Sequence, residues 1–494
     1  MIEQAALGQG GVFGGGSDQR RSSLVLVVVY VVLGIVLPVW VLAPLPSVYP
    51  VYPWDLGRVI ATLITEYAAV RLALLAARGE PRFTAITFFI FVYVWVGMAA
   101  SAELATRHFP WIPVHRPDQA TRATVLIVVA VLSYEIGRVL ARRRPLQPRP
   151  QRLEFVLSKP MIYAVCIAAP FLFSIGVLMI GSLSVLVGTR GMFEFTTGQM
   201  VKMQKLIAIF LVRSPPFVGF VLAAYYSLSQ WRSMDRGSKR SMVFWMMAMG
   251  ALNSIANFPG TLNRAWLSAV VLTPLFALIP WRRWLAPAWI LALTLSAIVV
   301  FPYMDAFRNA ATFEEGLDTL VVPNNVVEPM LYKGDYDVFQ QTINSVVYVE
   351  RFGIMWGHNL LSAVLFWVPR SLWPGKSGGT SVDVNFPLGY AFYNLSVPLW
   401  MEAYVAFSWI GVLAIMGWYG YGSARAEAAY LRRDRSVADM TGLLLPFWGG
   451  YQFFIMRGDL INVFAFSSLS MLLFVLATRV RLRLPGRRNL LRPT

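Results

Sequence analysis

Several charged side chains stand in aromatic and proline-rich surroundings where charge is otherwise scarce. Arg370 and Lys376 belong to Val368-Pro-Arg370-Ser-Leu-Trp373-Pro-Gly-Lys376, Asp337 to Tyr336-Asp337-Val-Phe339, and Glu402 to Pro398-Leu-Trp-Met-Glu402-Ala-Tyr404. Further cations stand in Gly188-Thr-Arg190-Gly, at Arg264 shortly after Phe258-Pro-Gly260, and in Met456-Arg457-Gly-Asp459. Arginine suits phosphate because its planar fork donates two parallel hydrogen bonds. In a low-dielectric groove such cations would stabilise negative charge building on a leaving pyrophosphate. A carboxylate beside them would take a proton from an attacking hydroxyl. Tryptophan, tyrosine and proline offer flat apolar faces of the kind on which sugar rings stack. Plainer readings exist for the same residues. Arg190 is equally a solvated or lipid-bound cation past a helix end, Arg264 a snorkelling anchor, and Arg457 a partner for Asp459 inside one tight turn.

Other chemistries find little footing. His108, His115 and His358 are far apart and lack metal-ligand spacing. Cys166 is the only cysteine, which rules out an intrachain disulfide or a thiolate metal cluster. No P-loop or dinucleotide fingerprint occurs. The net charge of +18 would suggest nucleic acid on a soluble chain. Here the basic residues fall mostly in short segments between apolar blocks, as the positive-inside rule expects.

Those blocks must position the charged residues. The chain has 494 residues, 57% hydrophobic and only 14% charged, where a soluble chain carries about a quarter charged. The apolar residues group into stretches of about 18–22, long enough to cross a hydrocarbon core about 30 Å thick, and in lipid such stretches must be helical. The expected fold is an all-α polytopic membrane protein of about 12 transmembrane helices, at about 24–43, 58–77, 84–104, 122–140, 160–181, 206–228, 241–257, 264–280, 285–303, 402–421, 440–456 and 460–478.

Basic loops follow every even-numbered block: Arg78 and Arg82; Arg142, Arg143, Arg144, Arg149 and Arg152; Arg232, Arg236, Lys239 and Arg240; Arg282 and Arg283; Arg432, Arg433 and Arg435; Arg479, Arg481, Arg483, Arg487 and Arg488. An even count with both termini in the cytosol satisfies all of them. The organisation expected is a disordered cytosolic tail at 1–22, membrane helices 1–9 over 23–303, a long outer connection at 304–401, helices 10–12 over 402–478, and a basic tail at 479–494. The long connection carries a short apolar stretch, Leu360–Val368, which reads as an interfacial or re-entrant helix.

In this order the features resemble the oligosaccharide repeat-unit polymerases of the O-antigen polymerase (Wzy) type. The resemblance is carried by Asp337, then Tyr348 and Gly357, then Pro369-Arg370-Ser-Leu-Trp373-Pro374-Gly-Lys376, then Ser396-Val-Pro398 and Glu402 just before a helix. Arg190, Arg264 and Arg457-Gly458 extend it. The chain departs from the pattern in Gly260-Thr-Leu-Asn-Arg264, which is not a compact Gly-Ser-Arg. It departs again after Glu402, where Ala-Tyr404-Val-Ala-Phe407-Ser replaces the usual Asn-Phe-Gly.

The resemblance implies a membrane glycosyltransferase of the GT-C-like class in a bacterial inner membrane. Such an enzyme transfers a growing chain from undecaprenyl pyrophosphate onto the next lipid-linked repeat unit, at the periplasmic face and without cofactor or metal. It implies pyrophosphate binding by Arg190, Arg264, Arg370, Lys376 and Arg457, and a general base at Glu402 or Asp337. Sugar contacts would come from Tyr348, Trp373 and Tyr404. Implied partners are the lipid-linked oligosaccharide, membrane lipid, and flippase and chain-length regulator proteins, with no nucleic acid. Two other readings stay open: an O-antigen ligase, which uses the same donor with another acceptor, and a lipid-linked glycan transporter or flippase.

Overall fold

The structure, a computed structural model, describes residues 15–111, 116–143, 152–302, 310, 313–318, 325–392 and 395–483. His115, Arg144, Arg149, Arg487 and Arg488, with the outer parts of both tails, lie outside the described residues.

The apolar blocks are helices. In chain order they are α1 (Arg20–Val48), α2 (Leu56–Arg78), α3 (Phe83–Thr106), α4 (Pro117–Arg143) and α5 (Lys159–Ile180), followed by a short α6 (Arg190–Gly198). Then come α7 (Lys202–Gln230), α8 (Arg236–Ala256), α9 (Arg264–Leu278) and α10 (Leu285–Val300). Within the long connection lie α11 (Val338–Phe352), α12 (His358–Val364) and α13 (Thr380–Asn385), and the chain ends with α14 (Leu399–Leu431), α15 (Thr441–Arg457) and α16 (Leu460–Leu476).

Seven of these helices are long and apolar enough to cross a membrane: α1 to α5, α7 and α14. The apolar helices in α9, α10 and α16 are shorter. The helix α8 starts with Arg236, Lys239 and Arg240, and α15 has 17 residues. Cap residues decide where several helices start. Asp55 accepts from the amide of Arg58, Thr189 from that of Met192, Asp235 from that of Ser238, and Asn263 from that of Trp266. Arg190 and Arg264 are therefore each the first residue of a capped helix.

The tightest pairing joins α4 to α14. A Cβ at Gly137 would lie 1.9 Å from the carbonyl oxygen of Gly417, and one at Gly420 would lie 2.0 Å from that of Tyr134. Small residues let the two backbones touch, the device that packs helices in lipid.

The loops sort into two layers. In one, Arg152–Leu157 (β1) and Thr478–Arg483 (β2) form an antiparallel pair, a two-stranded sheet that the all-helical expectation lacked. The amide of Leu157 donates to Ala438 O at 2.8 Å and that of Met440 to Phe155 O at 2.9 Å. Gln230 reaches Ser436 O at 2.8 Å, Trp281 reaches Gly79 O at 2.9 Å, and Arg283 reaches Ser22 at 2.9 Å. These contacts join the loops after every even-numbered block to one another or to the first helix. The opposite layer holds the 325–402 segment and the turns before α2, α4, α9 and α16.

The block expected at 402–421 differs from the rest. Phe407 (φ −144°) and Ser408 (φ 54°, ψ −146°) leave the helical region, so α14 is a short half-helix joined at a break to a longer one. The carbonyls of Val405 and Ala406 at the break accept from the amides of Met355 at 2.8 Å and Gly357 at 3.3 Å. Non-helical backbone at this depth is tolerated because protein satisfies it. The apolar stretch expected at Leu360–Val368 is helical only over His358–Val364.

Candidate functional site

The long connection is held from inside by a polar helix face. Gln340, Gln341, Thr342, Asn344 and Ser345 of α11 are all fully buried. Gln340 exchanges two hydrogen bonds with the backbone of Trp111 (one at 2.9 Å), Asn344 donates to Asn385 at 2.8 Å, and Trp400 donates to Thr342 at 3.1 Å. Buried polar groups paired in this way fix one arrangement of the segments they join.

Asp337 stands immediately before α11. Its carboxylate accepts from the hydroxyl and amide of Ser396 and from Trp111 Nε1 at 3.0 Å. Burial pushes its carboxyl above the usual carboxylate range, opposed by the charge of Arg457 and by those hydrogen bonds.

Two residues earlier, Asp335 pairs with Arg264 and, at 3.1 Å, with Arg457. The guanidinium of Arg264 also lies over the Phe301 ring, 4.9 Å from its centroid. Trp95 Nε1 donates to the Asp335 carbonyl at 2.8 Å, and the Tyr336 hydroxyl donates to Ala297 O at 2.8 Å. Trp95 and Ala297 both lie in π-helical turns, Val92–Met98 and Ser296–Val300, and such turns recur at functional sites. Asp335-Tyr336-Asp337 has Asp-x-Asp spacing. The two carboxylates serve different partners. Among the described residues no group of three or more His, Cys, Asp or Glu is placed to hold a metal ion.

Arg190 donates to Glu194 at 2.6 Å and lies within electrostatic reach of Arg213. Arg213, in α7, is buried and donates to the carbonyls of Ala256 at 3.3 Å and Thr261 at 3.2 Å, over the ring of Phe193. It fastens the turn from which Arg264 emerges. Sequence reasoning missed Arg213, although a cation inside an apolar block is itself a signal.

The third group surrounds a cavity of about 550 Å³ lined by Tyr348, His358, Lys376, Ser377, Asp383 and Phe386 among others. Lys376 Nζ donates to Phe366 O at 2.5 Å and Val368 O at 2.9 Å, and Arg370 donates to Ser377 O at 3.1 Å. His358 Nε2 lies 2.9 Å from Gly375 O, with its ring edge-on to Trp373. Gly375, Lys376 and Ser377 thus make one wall, and Arg370 is tied to that wall through Ser377. Asp383, half-buried, accepts from the Ser377 hydroxyl and more weakly from the amide of Gly378 at 3.4 Å. Burial raises the Tyr348 phenol above its usual range, and the charge of Asp383 adds to this.

Glu402 does not line the cavity. Its carboxylate accepts from Asn359 at 2.8 Å, from the Thr380 hydroxyl at 2.5 Å and from the amide of Leu460 at 2.9 Å. Asp459 beside it accepts from the amides of Ser381 at 3.0 Å and Ile461 at 3.4 Å, and burial raises its carboxyl. Arg457 and Asp459 therefore turn to opposite sides of their tight turn. Tyr404 is buried against Trp409, also away from the cavity.

The expected cations divide among three places: Arg190 near Arg213, Arg264 with Arg457 on Asp335, and Lys376 at the cavity with Arg370 bound to the lining residue Ser377. Tyr348 joins that last group as a lining residue and Trp373 through its contact with His358. No family model, no curated protein and no solved structure matches the chain.

Proposed function

We propose that this protein is a membrane glycosyltransferase that polymerises undecaprenyl-pyrophosphate-linked repeat units at the outer face of a bacterial inner membrane. In this reading the chain crosses the membrane 12 times with both termini inside, as the resemblance and the basic-loop pattern suggest. The sorting of loops into two layers supports that topology. The observation that carries the activity is the cavity, which sets Lys376, Asp383, Tyr348 and His358 around about 550 Å³ of space. Ligand pockets commonly have about 300–1,000 Å³.

In the proposed reaction an acceptor sugar hydroxyl attacks the anomeric carbon of the growing chain. A new glycosidic C–O bond forms, the C–O bond to pyrophosphate breaks, and undecaprenyl pyrophosphate leaves with the electron pair. Lys376 and Arg370 stabilise the charge on the leaving group. Asp383 takes the hydroxyl proton, because it borders the cavity while Glu402 and Asp337 do not line it and are engaged by other donors. Tyr348 and Trp373 provide sugar-facing surfaces. Arg264, Arg457 and Arg190 are engaged by Asp335 and Glu194 and act in this reading by positioning the outer turns.

The test is extension of a purified lipid-linked repeat unit by the purified protein. Lipid-linked products of two or more repeats support the reading. Transfer only to a different acceptor, or movement across the bilayer without bond formation, overturns it.

A further inference from the structure

The layer that holds Ser22 and the β1–β2 pair contains a second concentration of cations, unrelated to the cavity. Arg71, Arg78, Arg82, Arg138 and Arg142 lie within electrostatic reach of one another where α2 and α4 end. Three carboxylates serve this group. Glu427 takes Arg138 at 2.9 Å and Arg82 at 3.6 Å, Glu80 takes Arg82 at 2.5 Å, and Glu135 takes Arg71 at 2.6 Å. Arg78 and Arg142 are left over. Both are exposed, and among the described residues neither has a hydrogen bond, an ion pair or a ring partner.

Their place on the helices matters more than their number. On α2 the exposed apolar residues Leu63 and Val70 form part of a stripe that runs down to Arg78. On α4 the exposed residues Ile136 and Val139 lie on a stripe that runs down to Arg142. The Arg71–Glu135 pair, 15% exposed on each side, bridges the two helices. The apolar groove between the two stripes is therefore bridged by an ion pair and ends at two unpaired guanidiniums.

We propose that this groove holds an anionic phospholipid, its acyl chains along the two stripes and its phosphate between Arg78 and Arg142. Basic pockets between membrane helices on the inner side are suited to such headgroups. Arginine's fork offers each phosphate oxygen a directed donor. The site does not depend on the catalytic reading.

The test uses the full chain, purified in neutral detergent and stripped of lipid, with bound lipid counted by native mass spectrometry. Phosphatidylglycerol is expected to bind more tightly than phosphatidylcholine. The Arg78→Gln/Arg142→Gln variant is expected to lose about 30-fold in phosphatidylglycerol affinity with phosphatidylcholine unchanged. Ile136→Trp, which fills the groove and keeps both charges, is expected to weaken phosphatidylglycerol as well. Equal affinity for the two lipids in the wild type overturns the proposal, as does full retention in either variant. Displacement of phosphatidylglycerol by equimolar inorganic phosphate also overturns it, because the site would then hold a free anion.

Discussion

Arg457 donates to Asp335 across 122 residues of sequence, Nη2 to Oδ1 at 3.1 Å. Asp335 also holds Arg264, so one carboxylate from the long connection balances cations at the first residue of α9 and the last of α15. Removing one partner of a buried charge pair leaves the other uncompensated and costs about 3–5 kcal/mol. Asp335→Ala is expected to lower the unfolding midpoint in detergent by more than Asp335→Glu does. Equal midpoints for Asp335→Ala and wild type would mean that the two arginines find other partners.

The opposite layer contains a comparable lock. Glu427 Oε2 faces Arg138 at 2.9 Å, while Oε1 accepts from Thr84 at 2.6 Å and from the amide of Ala85 at 2.9 Å. Glu427→Gln keeps the Oε1 bonds and leaves Arg138 buried without a countercharge. Adding Arg138→Met to Glu427→Gln removes the stranded cation, so the double variant is expected to regain part of the about 3–5 kcal/mol lost. Calorimetric unfolding of the four proteins closes the cycle. A double variant less stable than Glu427→Gln alone contradicts the account.

Burial raises the Asp337 carboxyl, and this sets the sign of a pH effect. The folded state holds the proton more tightly than the unfolded chain, where the ordinary value is about 3.9. The stabilisation is complete below that value and is lost as pH rises through the raised one. Asp337→Asn is permanently neutral, and its amide faces the donors Trp111 and Ser396. It is expected to be less stable than wild type at low pH, with the gap narrowing as pH rises. Unfolding midpoints between about pH 4 and pH 8 check this. A gap independent of pH would mean that Asp337 titrates alike in both states.

Some of this architecture is visible in the sequence, for identifiable reasons. Hydropathy bounds α5 to within a residue or so, because lipid imposes the length of an apolar helix. The basic loops after the even-numbered blocks contact one another or the first helix, contacts that charge pattern alone does not specify. Arg152–Leu157 and Thr478–Arg483 read as a basic loop and the start of a basic tail, because their charge outweighs a strand-like alternation that Thr478-Arg-Val-Arg-Leu-Arg483 does show. Asp335 is visible as part of an Asp-x-Asp string, but its pairing is not, because that comes from two arginines delivered by distant helices. The break in α14 was hidden for a related reason. Ala406-Phe407-Ser408-Trp409 contains neither glycine nor proline, and the helix opens there because Met355 and Gly357 compete for its carbonyls.

That break stores backbone strain. Ser408, with φ 54° and ψ −146°, sits where only glycine is comfortable. Ser408→Gly is expected to stabilise the protein by about 1 kcal/mol. Gly357, at φ 78°, packs against Phe407, and a Cβ there would lie 2.5 Å from the ring. Gly357→Ala is expected to destabilise through both backbone and clash. Opposite shifts in unfolding midpoint are the expected result, and a destabilising Ser408→Gly would show that the break carries no strain.

The sharpest separation concerns Asp383 and Glu402. Three donors, Asn359, Thr380 and the amide of Leu460, converge on the Glu402 carboxylate, which accepts all of them only because it has no N–H of its own. Glu402→Gln turns an amide N–H₂ toward at least one donor and is expected to cost about 1–3 kcal/mol. Asp383→Asn is different: the side chain is half-buried, and its amide oxygen still accepts from Ser377. It should fold like wild type while losing a proton acceptor at the cavity, a loss of about 10²–10⁴-fold in transfer rate. Unfolding midpoints and rates of repeat-unit extension, measured on the same preparations, distinguish the two roles. If Asp383→Asn extends at the wild-type rate while Glu402→Gln is inactive but stable, the proton acceptor is Glu402, and the cavity is not where the bond forms.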